Sequence, residues 1–283
     1  MVKNLRTAYA MLSPALIWLL IFMMIPIGII VIISFTTGDG YGGIVYEFSV
    51  SGYKKTFDLL YLKIFLQSLV WTVTSTGITL LIAYPLAYFI AHAGRWKNIL
   101  ILLVMIPFWT NILVRMYAWI ILLNDKGVIN NFLIHFGIID EPIQMMYTPF
   151  AMIITLVYAF LPFMILPIYA SIEQLDKTYL EAAEDLGADP VKSFFKITLP
   201  LTLPGVIAGS VITFIPAVSI FAAADLFGGG KMVMIGNVIR DAFLGGMNWQ
   251  LGSAISILLM ILVLLPIFLY FKSTSSDNKI SLF

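Results

Sequence analysis

The sequence contains no cysteine, which excludes disulfide bridges, thiolate zinc sites, iron–sulfur clusters and cysteine nucleophiles. Histidine is scarce as well: His92 and His135 stand far apart and belong to no metal-binding pattern, so we expect no metal site. Charge is also scarce, because only 11% of the 283 residues are charged and the net charge is +1. That balance does not favour nucleic acid as a partner.

Apolar residues are abundant and make up 61% of the chain. A soluble domain of this length could not hide so much apolar surface from water, which indicates an integral membrane protein. A helix needs about 20 apolar residues to cross a bilayer, because lipid offers no hydrogen-bond partners to the backbone. We therefore predict an all-α protein with six transmembrane helices, at Met11–Phe35, Ile64–Ala91, Asn98–Leu123, Pro149–Ile172, Leu201–Leu226 and Leu251–Phe271.

Lysine and arginine near the span ends predict the orientation of the chain. With the N-terminus in the cytoplasm, nine of these cations lie inside and six outside, and both termini are cytoplasmic. Three longer segments then lie outside: Thr36–Lys63, Asn124–Tyr147 and Phe227–Asn248. The first is polar and rich in glycine. The other two each contain a semi-apolar piece that could form a short surface helix.

The loop between the fourth and fifth predicted spans is the longest segment on the predicted cytoplasmic side, with the sequence LDKTYLEAAEDLGADPVKSFFKITLPLTLPG. Its residues predict two helices that meet at a turn. Thr178 or Asp176 can cap the first helix, and Gly187 suits the left-handed residue that ends it. Asp189 can cap the second helix, with Pro190 at its first position, where the missing amide hydrogen is not needed.

The fixed positions of this loop resemble the EAA signature of the membrane subunits of bacterial ATP-binding-cassette (ABC) importers. The resemblance implies the MetI-like fold of type I importer permeases, with one permease domain over 1–283. It also implies that the segment 176–200 is a coupling loop that docks into a separate cytoplasmic ATPase. The alternative is a surface helix with no partner. The residues expected to couple to the ATPase are Glu181, Ala182, Ala183, Gly187, Ile197, Leu199 and Pro200.

A second, narrower resemblance, to the PotB-like permeases of spermidine/putrescine importers, covers most of the chain. It is carried by PFWTNILVRMYAW from Pro107, GVINNFLIHFGIID from Gly127, LVYAFLPFMILPIYASIEQLDKTYLEAAEDLGA from Leu156 and ADLFGGGKMVMIGNVI from Ala224. This resemblance implies a heterodimer with a PotC-like second permease and two PotA-like ATPase subunits. It also implies a PotD-like extracytoplasmic binding protein that delivers the polyamine, and a location in the bacterial cytoplasmic (inner) membrane.

The chain has no Walker A sequence of its own. The stretch GGGKM at 228–232 resembles one only in having glycine before lysine, since Asp225 stands where the earlier glycine should be. In addition, Met232 replaces the hydroxyl residue that holds magnesium. We therefore expect ATP and Mg²⁺ to bind the partner ATPase. This chain is then a transport subunit with no cofactor and no catalytic residue, and not an enzyme.

A path for a polyamine, which is a flexible polycation, should offer carboxylates and aromatic faces. Asp225, near the outer end of the fifth predicted span, is the first candidate, although it could instead cap the turn into GGGK. Glu173, at the inner end of the fourth span, could bind an emerging cation or pair with Lys177 four residues on. Trp109 and Tyr158 lie within spans, where either ring could meet an ammonium group or simply pack.

Arg115 does not fit this path, because a cation there would repel a polyamine. We expect it to pair with a carboxylate or to reach the membrane interface. It would suit an anion importer better, so an ABC permease for sulfate, another anion or ferric iron is the closest rival. An autonomous channel or ion-coupled carrier is a rival of another class. A membrane-embedded enzyme would need a cluster of ionisable residues at mid-membrane, whereas the sequence has scattered single charges.

Overall fold

A computed structural model describes residues 2–39, 41–176 and 178–277, and most of these residues are helical. The elements follow in this order: α1 Val2–Ser34, β1 Thr37–Gly38, β2 Ile44–Val45, α2 Ser51–Thr56, α3 Leu59–His92, α4 Lys97–Met105, α5 Ile112–Leu123, α6 Val128–His135, α7 Pro149–Glu173, α8 Thr178–Asp185, α9 Pro190–Ser193, α10 Leu199–Ser219, α11 Phe221–Phe227, α12 Ile235–Leu244 and α13 Trp249–Asp277. Short 3₁₀ turns cover Gly94–Trp96 and Ile106–Trp109, and a π-helical stretch covers Phe194–Thr198.

Several of these helices are long and apolar enough to cross a membrane, which confirms a helical membrane protein. Within the described residues there are four such segments: Met11–Ser34, Leu59–His92, Pro149–Glu173 and Pro190–Ser219. A bent pair of helices brings the number to five if the pair counts as one span. The described apolar part of α13, Trp249–Leu265, is shorter. The expected total of six is therefore not established by helix length and composition.

The third predicted span, Asn98–Leu123, is wrong as a continuous helix. The segment that contains α4 ends at Trp109, and α5 begins at Ile112 after a bend of 91°. Between them the backbone of Thr110 is extended, and Oδ1 of Asn111 accepts a hydrogen bond from the N–H of Leu113 at 2.8 Å. An N-cap of this kind starts a new helix, and so it interrupts the apolar run.

The fifth predicted span, Leu201–Leu226, also has different bounds. Its helix is continuous with the second helix of the preceding loop, because one helical segment runs from Pro190 to Ser219 through the π-helical stretch. At its other end α10 stops at Ser219, since Ile220 has a ψ of 105° and α11 starts at the next residue. The second helix of the loop and the span therefore form a single rod.

Two of the three segments predicted to lie outside contain the short helices expected of them, α6 and α12. The remaining segment, Thr36–Lys63, departs from the all-α expectation. There β1 and β2 form an antiparallel ladder, in which Thr37 lies opposite Val45. Oδ1 of Asp39 closes the connection by accepting the N–H groups of Tyr41 and Gly43 at 2.8 and 2.7 Å. These backbone donors lower the pKa of Asp39 below its usual value.

The chain divides into two compact units, one formed by 1–62 with 238–283 and the other by 63–237. In the first unit α13 packs against α1 and α2, and Nε2 of Gln250 donates a hydrogen bond to the carbonyl of Thr37 at 3.0 Å. The expectation of a single permease domain over 1–283 stays a prediction.

The larger unit is built around α7, which packs against α10, α11 and α5. Glycines on α10 bring its backbone close to α7. A Cβ added at Gly205 would lie 2.5 Å from Cβ of Ser171 and 2.6 Å from the carbonyl oxygen of Pro167. In lipid, close backbone approach of this kind, rather than the hydrophobic effect, drives helix association. The fully buried side chains of α7 include Met152, Leu156, Met164, Ile165 and Ile168.

Candidate functional site

The first helix of the 176–200 loop, α8, starts at a cap provided by Asp176. Its Oδ1 accepts hydrogen bonds from the backbone N–H of Thr178 at 3.0 Å and from the hydroxyl of the same residue at 2.7 Å. Of the two candidate caps, Asp176 is therefore the acceptor. The hydroxyl, and after it the N–H, lowers the pKa of Asp176, because both donors stabilise the carboxylate.

The end of α8 has the left-handed glycine that the sequence predicts. Gly187 has a φ of +76°, its N–H bonds to the carbonyl of Glu184 at 2.9 Å, and the next N–H bonds to the carbonyl of Ala183 at 2.9 Å. Asp189 then caps the next helix by accepting the N–H of Lys192 at 2.8 Å. This contact lowers the pKa of Asp189. The predicted turn between the two helices is thus present.

The loop presents a mixed apolar and charged surface. Leu186, close to the turn, is 88% exposed, and Glu181 and Ala182 are also exposed, whereas Ala183 is buried. We call the exposed large apolar side chains of the loop the loop surface; they are Tyr179, Leu186, Val191 and Phe195. Large apolar side chains that are exposed among charges are typical of a surface that contacts another protein.

Phe194 joins the loop to α3. It is the first residue of the π-helical stretch, and its ring packs edge-on against Tyr84 at 5.6 Å and Tyr88 at 5.7 Å between ring centroids. A displacement of the loop would therefore act on α3 as well as on α10. The remaining predicted coupling residues lie at the junction with α10: half-buried Ile197 and Leu199, and exposed Pro200.

Glu173 lies at the end of α7, where it forms an ion pair with Lys97 at the start of α4. The hydroxyl of Tyr169 donates to the other carboxylate oxygen at 3.2 Å. The alternative partner proposed from the sequence, Lys177, lies outside the described residues. Glu173 and Lys97 line a cavity of about 410 Å³ that is also lined by Leu180 of α8, so this carboxylate is next to the loop.

Asp225 is an exposed residue of α11. Its Oδ1 accepts a hydrogen bond from Nδ2 of Asn237 at 2.7 Å. Asn237 is buried, and it also bonds to the carbonyl of Phe221 at 3.2 Å and to the N–H of Met234 at 3.1 Å. The orientation of this carboxylate is therefore set by a side chain whose own position is fixed by two backbone contacts.

The two aromatic candidates differ in their surroundings. Trp109 is 77% exposed. Tyr158 is half-buried, stands edge-on to Trp119 at 5.5 Å, and lines an open cavity of about 310 Å³ between α5 and α7. Arg115 lines the same cavity. Of the two expectations for Arg115, a carboxylate partner is not found among the described residues: the side chain is only 8% exposed, and no acceptor bonds to its Nε or Nη1. The expectation that Arg115 reaches the membrane interface stays a prediction.

These candidates do not share one pocket. Tyr158 and Glu173 lie on the same helix, α7, fifteen residues apart, which corresponds to about 22 Å along its axis. The candidate carboxylate Glu173 thus stands near the loop, and Tyr158 stands more than half of α7 away from it. The structure shows where these side chains are, and their roles in binding or coupling stay predictions.

The family of the chain is decided by comparison with known proteins. A family model described as the binding-protein-dependent transport system inner membrane component matches residues 83–273, which is more than half of the chain. The chain is therefore a permease of this family. Membership places it in a membrane transport system that depends on a separate substrate-binding protein.

Curated relatives cover nearly the whole permease. It is 41% identical, over 98% of both chains, to the Haemophilus influenzae protein named spermidine/putrescine transport system permease protein PotB. It is 42% identical to the protein of the same name from Escherichia coli K12, over 93% of this chain and 96% of that one. Both relatives are transport components, and so is this permease.

A solved structure supports the fold. The permease resembles a chain in the crystal structure of a bacterial alginate ABC transporter in complex with alginate pentasaccharide-bound periplasmic protein, with a TM-score of 0.71 and 20% identity. The match covers 93% of this chain and 92% of that one. At this identity the likeness shows an ABC importer permease fold and carries nothing about the cargo.

The sequence analysis did not predict three side chains that contact the candidate residues in the structure. Lys97 holds Glu173, Asn237 holds Asp225, and Trp119 stands against Tyr158. Each partner is distant in sequence from the residue that it contacts, so local spacing carried no signal. The predicted caps and the glycine turn, in contrast, depend on contacts within five residues.

Proposed function

We propose that this permease is the PotB-like subunit of a polyamine importer. With a PotC-like second permease it forms the path that carries spermidine and putrescine into the cytoplasm. Two PotA-like ATPase subunits bind ATP and Mg²⁺ and drive transport, and a PotD-like extracytoplasmic protein delivers the polyamine. The permease contributes no ATPase site. The names of its near full-length relatives support this cargo.

The proposal includes six membrane spans and cytoplasmic termini. The bent pair Gly94–Trp109 with Ile112–His135 counts as the third span, and α13 is the sixth. The excess of lysine and arginine on the loop side supports this orientation. The 176–200 loop then faces the ATPase.

The observation that carries the proposal is the form of the 176–200 loop. Its first helix is exposed and ends at a glycine turn, and its second helix runs without a break into α10. A coupling element needs a free surface for its partner and a stiff connection to the membrane. The loop surface supplies the first, and the rod from Pro190 to Ser219 supplies the second. ATP binding would move this rod, and the two permeases would rock to open the path outward.

Within the path, we assign Asp225, Trp109 and Tyr158 to substrate contacts away from the loop, and Glu173 to release next to it. Carboxylates attract the ammonium groups, and aromatic faces bind them weakly enough to let them pass. Because Glu173 is held by Lys97, an arriving ammonium group has to compete with an internal cation. Such competition keeps binding at this point weak, which favours release.

The cargo is tested by uptake of labelled spermidine, putrescine and sulfate in a strain that lacks its own importers. We expect saturable polyamine uptake that requires the second permease and the ATPase, and no flux through the purified permease alone in liposomes. Saturable sulfate uptake without polyamine uptake would overturn the assignment. Flux through the isolated chain would instead indicate a channel or carrier.

The coupling role is tested by two substitutions in the loop. Glu181→Lys reverses an exposed charge, and Gly187→Pro is incompatible with a φ of +76° and removes an N–H that ends α8. We expect both to reduce uptake at least tenfold while the chain stays in the membrane. Glu141→Lys, an exposed charge reversal outside the loop, serves as the control. Full uptake and intact ATPase pull-down in both loop variants would refute the docking role.

The orientation of the loop in the membrane can be tested by cysteine labelling. Because the chain has no native cysteine, a single introduced cysteine is its only thiol. A cysteine placed at exposed Ala182 should react with a membrane-permeant maleimide and resist an impermeant one added to intact cells. Labelling from outside would place the loop on the wrong side for an ATPase.

A further inference from the structure

Arg115 is a buried cation with no hydrogen-bond or ion-pair partner among the described residues. Between Lys97 and Asp125 it is the only charged residue in the sequence. In the structure it is 8% exposed, its Nε and Nη1 are fully enclosed, and neither donates to an acceptor in the described part of the chain. The ring of Phe108 lies 6.0 Å from its guanidinium carbon, which satisfies none of its N–H groups.

A guanidinium in this position requires an acceptor from elsewhere. A guanidinium carries a positive charge and five N–H donors, so burying it is costly unless the donors are bonded and the charge is paired. Buried N–H donors are almost always hydrogen-bonded, and buried charges are paired. The cavity of about 310 Å³ that Arg115 lines with Tyr158 and Trp119 is open to the surface of the chain, and so a group from another molecule can enter beside it.

The burial of Arg115 argues against a lipid phosphate as the acceptor. Its side chain is only 8% exposed, and eight residues of α5, or about 12 Å along the axis, separate it from Leu123 at the end of the helix. Arg115 also does not extend toward the surface as a snorkelling arginine would, because it is buried.

The surface around the cavity fits a protein partner. Next to Arg115, α5 exposes Val114 and Tyr117. Arginine, tyrosine and tryptophan are enriched at the centres of protein interfaces. In a polyamine path the cargo is itself a cation and cannot be the acceptor. An acidic side chain of a neighbouring subunit meets the remaining requirement, and Arg–carboxylate pairs have the geometry for two parallel hydrogen bonds.

We propose that Arg115 forms an ion pair with an aspartate or glutamate of the second permease subunit, whose side chain enters the cavity between α5 and α7. The pair locates the two permeases against each other. It also neutralises a cation that would otherwise oppose polyamine entry. This inference rests on the proposed heterodimer, and its readout is subunit assembly, which does not depend on the identity of the cargo.

The experiment uses the complete transporter, with a tag on this permease and quantification of the second permease that co-purifies in detergent. We expect Arg115→Glu to reduce the co-purified second permease at least tenfold, and Arg115→Met to reduce it less, because a neutral side chain removes the attraction without adding repulsion. Lys126→Glu reverses an exposed charge three residues beyond the end of α5 and is the matched control, with assembly unchanged.

The decisive arm is a charge reversal on the partner. Each aspartate and glutamate of the second permease is replaced in turn by arginine in the Arg115→Glu background. One such replacement should restore assembly to within about twofold of wild type, while the same replacement alone should impair it. This rescue separates a lost ion pair from a chain that fails to fold, since a misfolded chain is not repaired by its partner's charge.

Three results would overturn the proposal. One is normal assembly of Arg115→Glu, and another is a complete scan of the partner in which no reversal rescues the variant. The third is a defect that depends on the anionic lipid content of the membrane and not on the partner's acids, which would identify a lipid phosphate as the acceptor. If assembly and rescue behave as expected while wild-type uptake of polyamine is absent, the ion pair stands and only the cargo assignment fails.

Discussion

The helices α1 and α7 are both long and apolar, yet they are buried to opposite extents. In an apolar stretch of 18 residues within Met11–Ser34 of α1, the mean hydropathy is 3.1 and 6% of the residues are buried. In the corresponding stretch of α7, Pro149–Glu173, the mean hydropathy is 2.3 and 61% of the residues are buried. The less hydrophobic helix is therefore the internal one. In lipid an apolar side chain gains little by moving from the acyl chains to another helix. Hydropathy thus reports membrane insertion, and it does not report helix packing.

Small residues account for the difference. On α10, the partner of α7, glycines sit where a Cβ would collide, as at Gly205, or press against Met164, as at Gly209. On α1, a Cβ added at Gly28 would meet no described atom within 4 Å. The α7–α10 pair is therefore a scaffold with a fixed interface, whereas α1, outside its contact with α13, presents a free surface to lipid or to another subunit.

The largest effect should come from filling the α7–α10 interface. Gly205→Leu places a side chain against the backbone of Pro167, which cannot move aside, and we expect a loss of about 3 kcal/mol in stability. Gly28→Leu, the matched change on α1, should cost nothing measurable. The measurement is the melting temperature of each variant transporter in detergent. Equal effects would break the comparison and would mean that α1 is covered in the assembled transporter.

A smaller effect should follow from emptying the core that α7 forms with α3, in which Ile165 lies. Ile165 of α7 is buried, whereas Ile25 of α1 is exposed. Truncating a buried isoleucine to alanine costs about 2–5 kcal/mol, and we expect about 2 kcal/mol for Ile165→Ala because lipid lowers the transfer part of that cost. Ile25→Ala should leave the denaturant midpoint unchanged. A large loss for Ile25→Ala alone would reverse the assignment of scaffold and free surface.

Contacts between near neighbours could be predicted from the sequence, whereas contacts between distant residues could not. The caps at Asp176 and Asp189 and the turn at Gly187 depend on contacts between near neighbours, and all were predicted. The ion pair between Lys97 and Glu173 joins residues 76 positions apart, so no local pattern could predict it.

The errors in the span bounds have local causes that hydropathy averaging hides. The bend before α5 depends on Asn111, a single polar residue in a long apolar run whose side chain caps a new helix. The continuous helix from Pro190 to Ser219 runs through a π-helical stretch, and composition carries no signal for that stretch. The membrane class was therefore predictable, whereas the path of the chain inside the membrane was less so.

The smallest effect, and the sharpest test of the scaffold, concerns one buried hydrogen bond between α3 and α10. Oγ1 of Thr202 donates its one hydrogen to the carbonyl of Thr198 at 2.7 Å. The hydroxyl of Tyr84 lies 2.8 Å from Oγ1 of Thr202 and is therefore the donor of the bond between these two side chains. Tyr84→Phe removes this donor without changing the ring that packs on Phe194. We expect a loss of about 1 kcal/mol, the usual net value of a buried neutral hydrogen bond.

The matched change on the exposed side is Tyr9→Phe on α1, which should leave the melting temperature unchanged because Tyr9 is exposed.

If α3 and α10 move as one body with the loop, Tyr84→Phe should also weaken the coupling of ATP hydrolysis to transport. The ratio of polyamine imported to ATP hydrolysed measures this coupling in proteoliposomes. A lower melting temperature with an unchanged ratio would mean that the bond contributes to stability and not to coupling. A lower ratio would mean that the contact between α3 and α10 serves the transmission of force as well as stability.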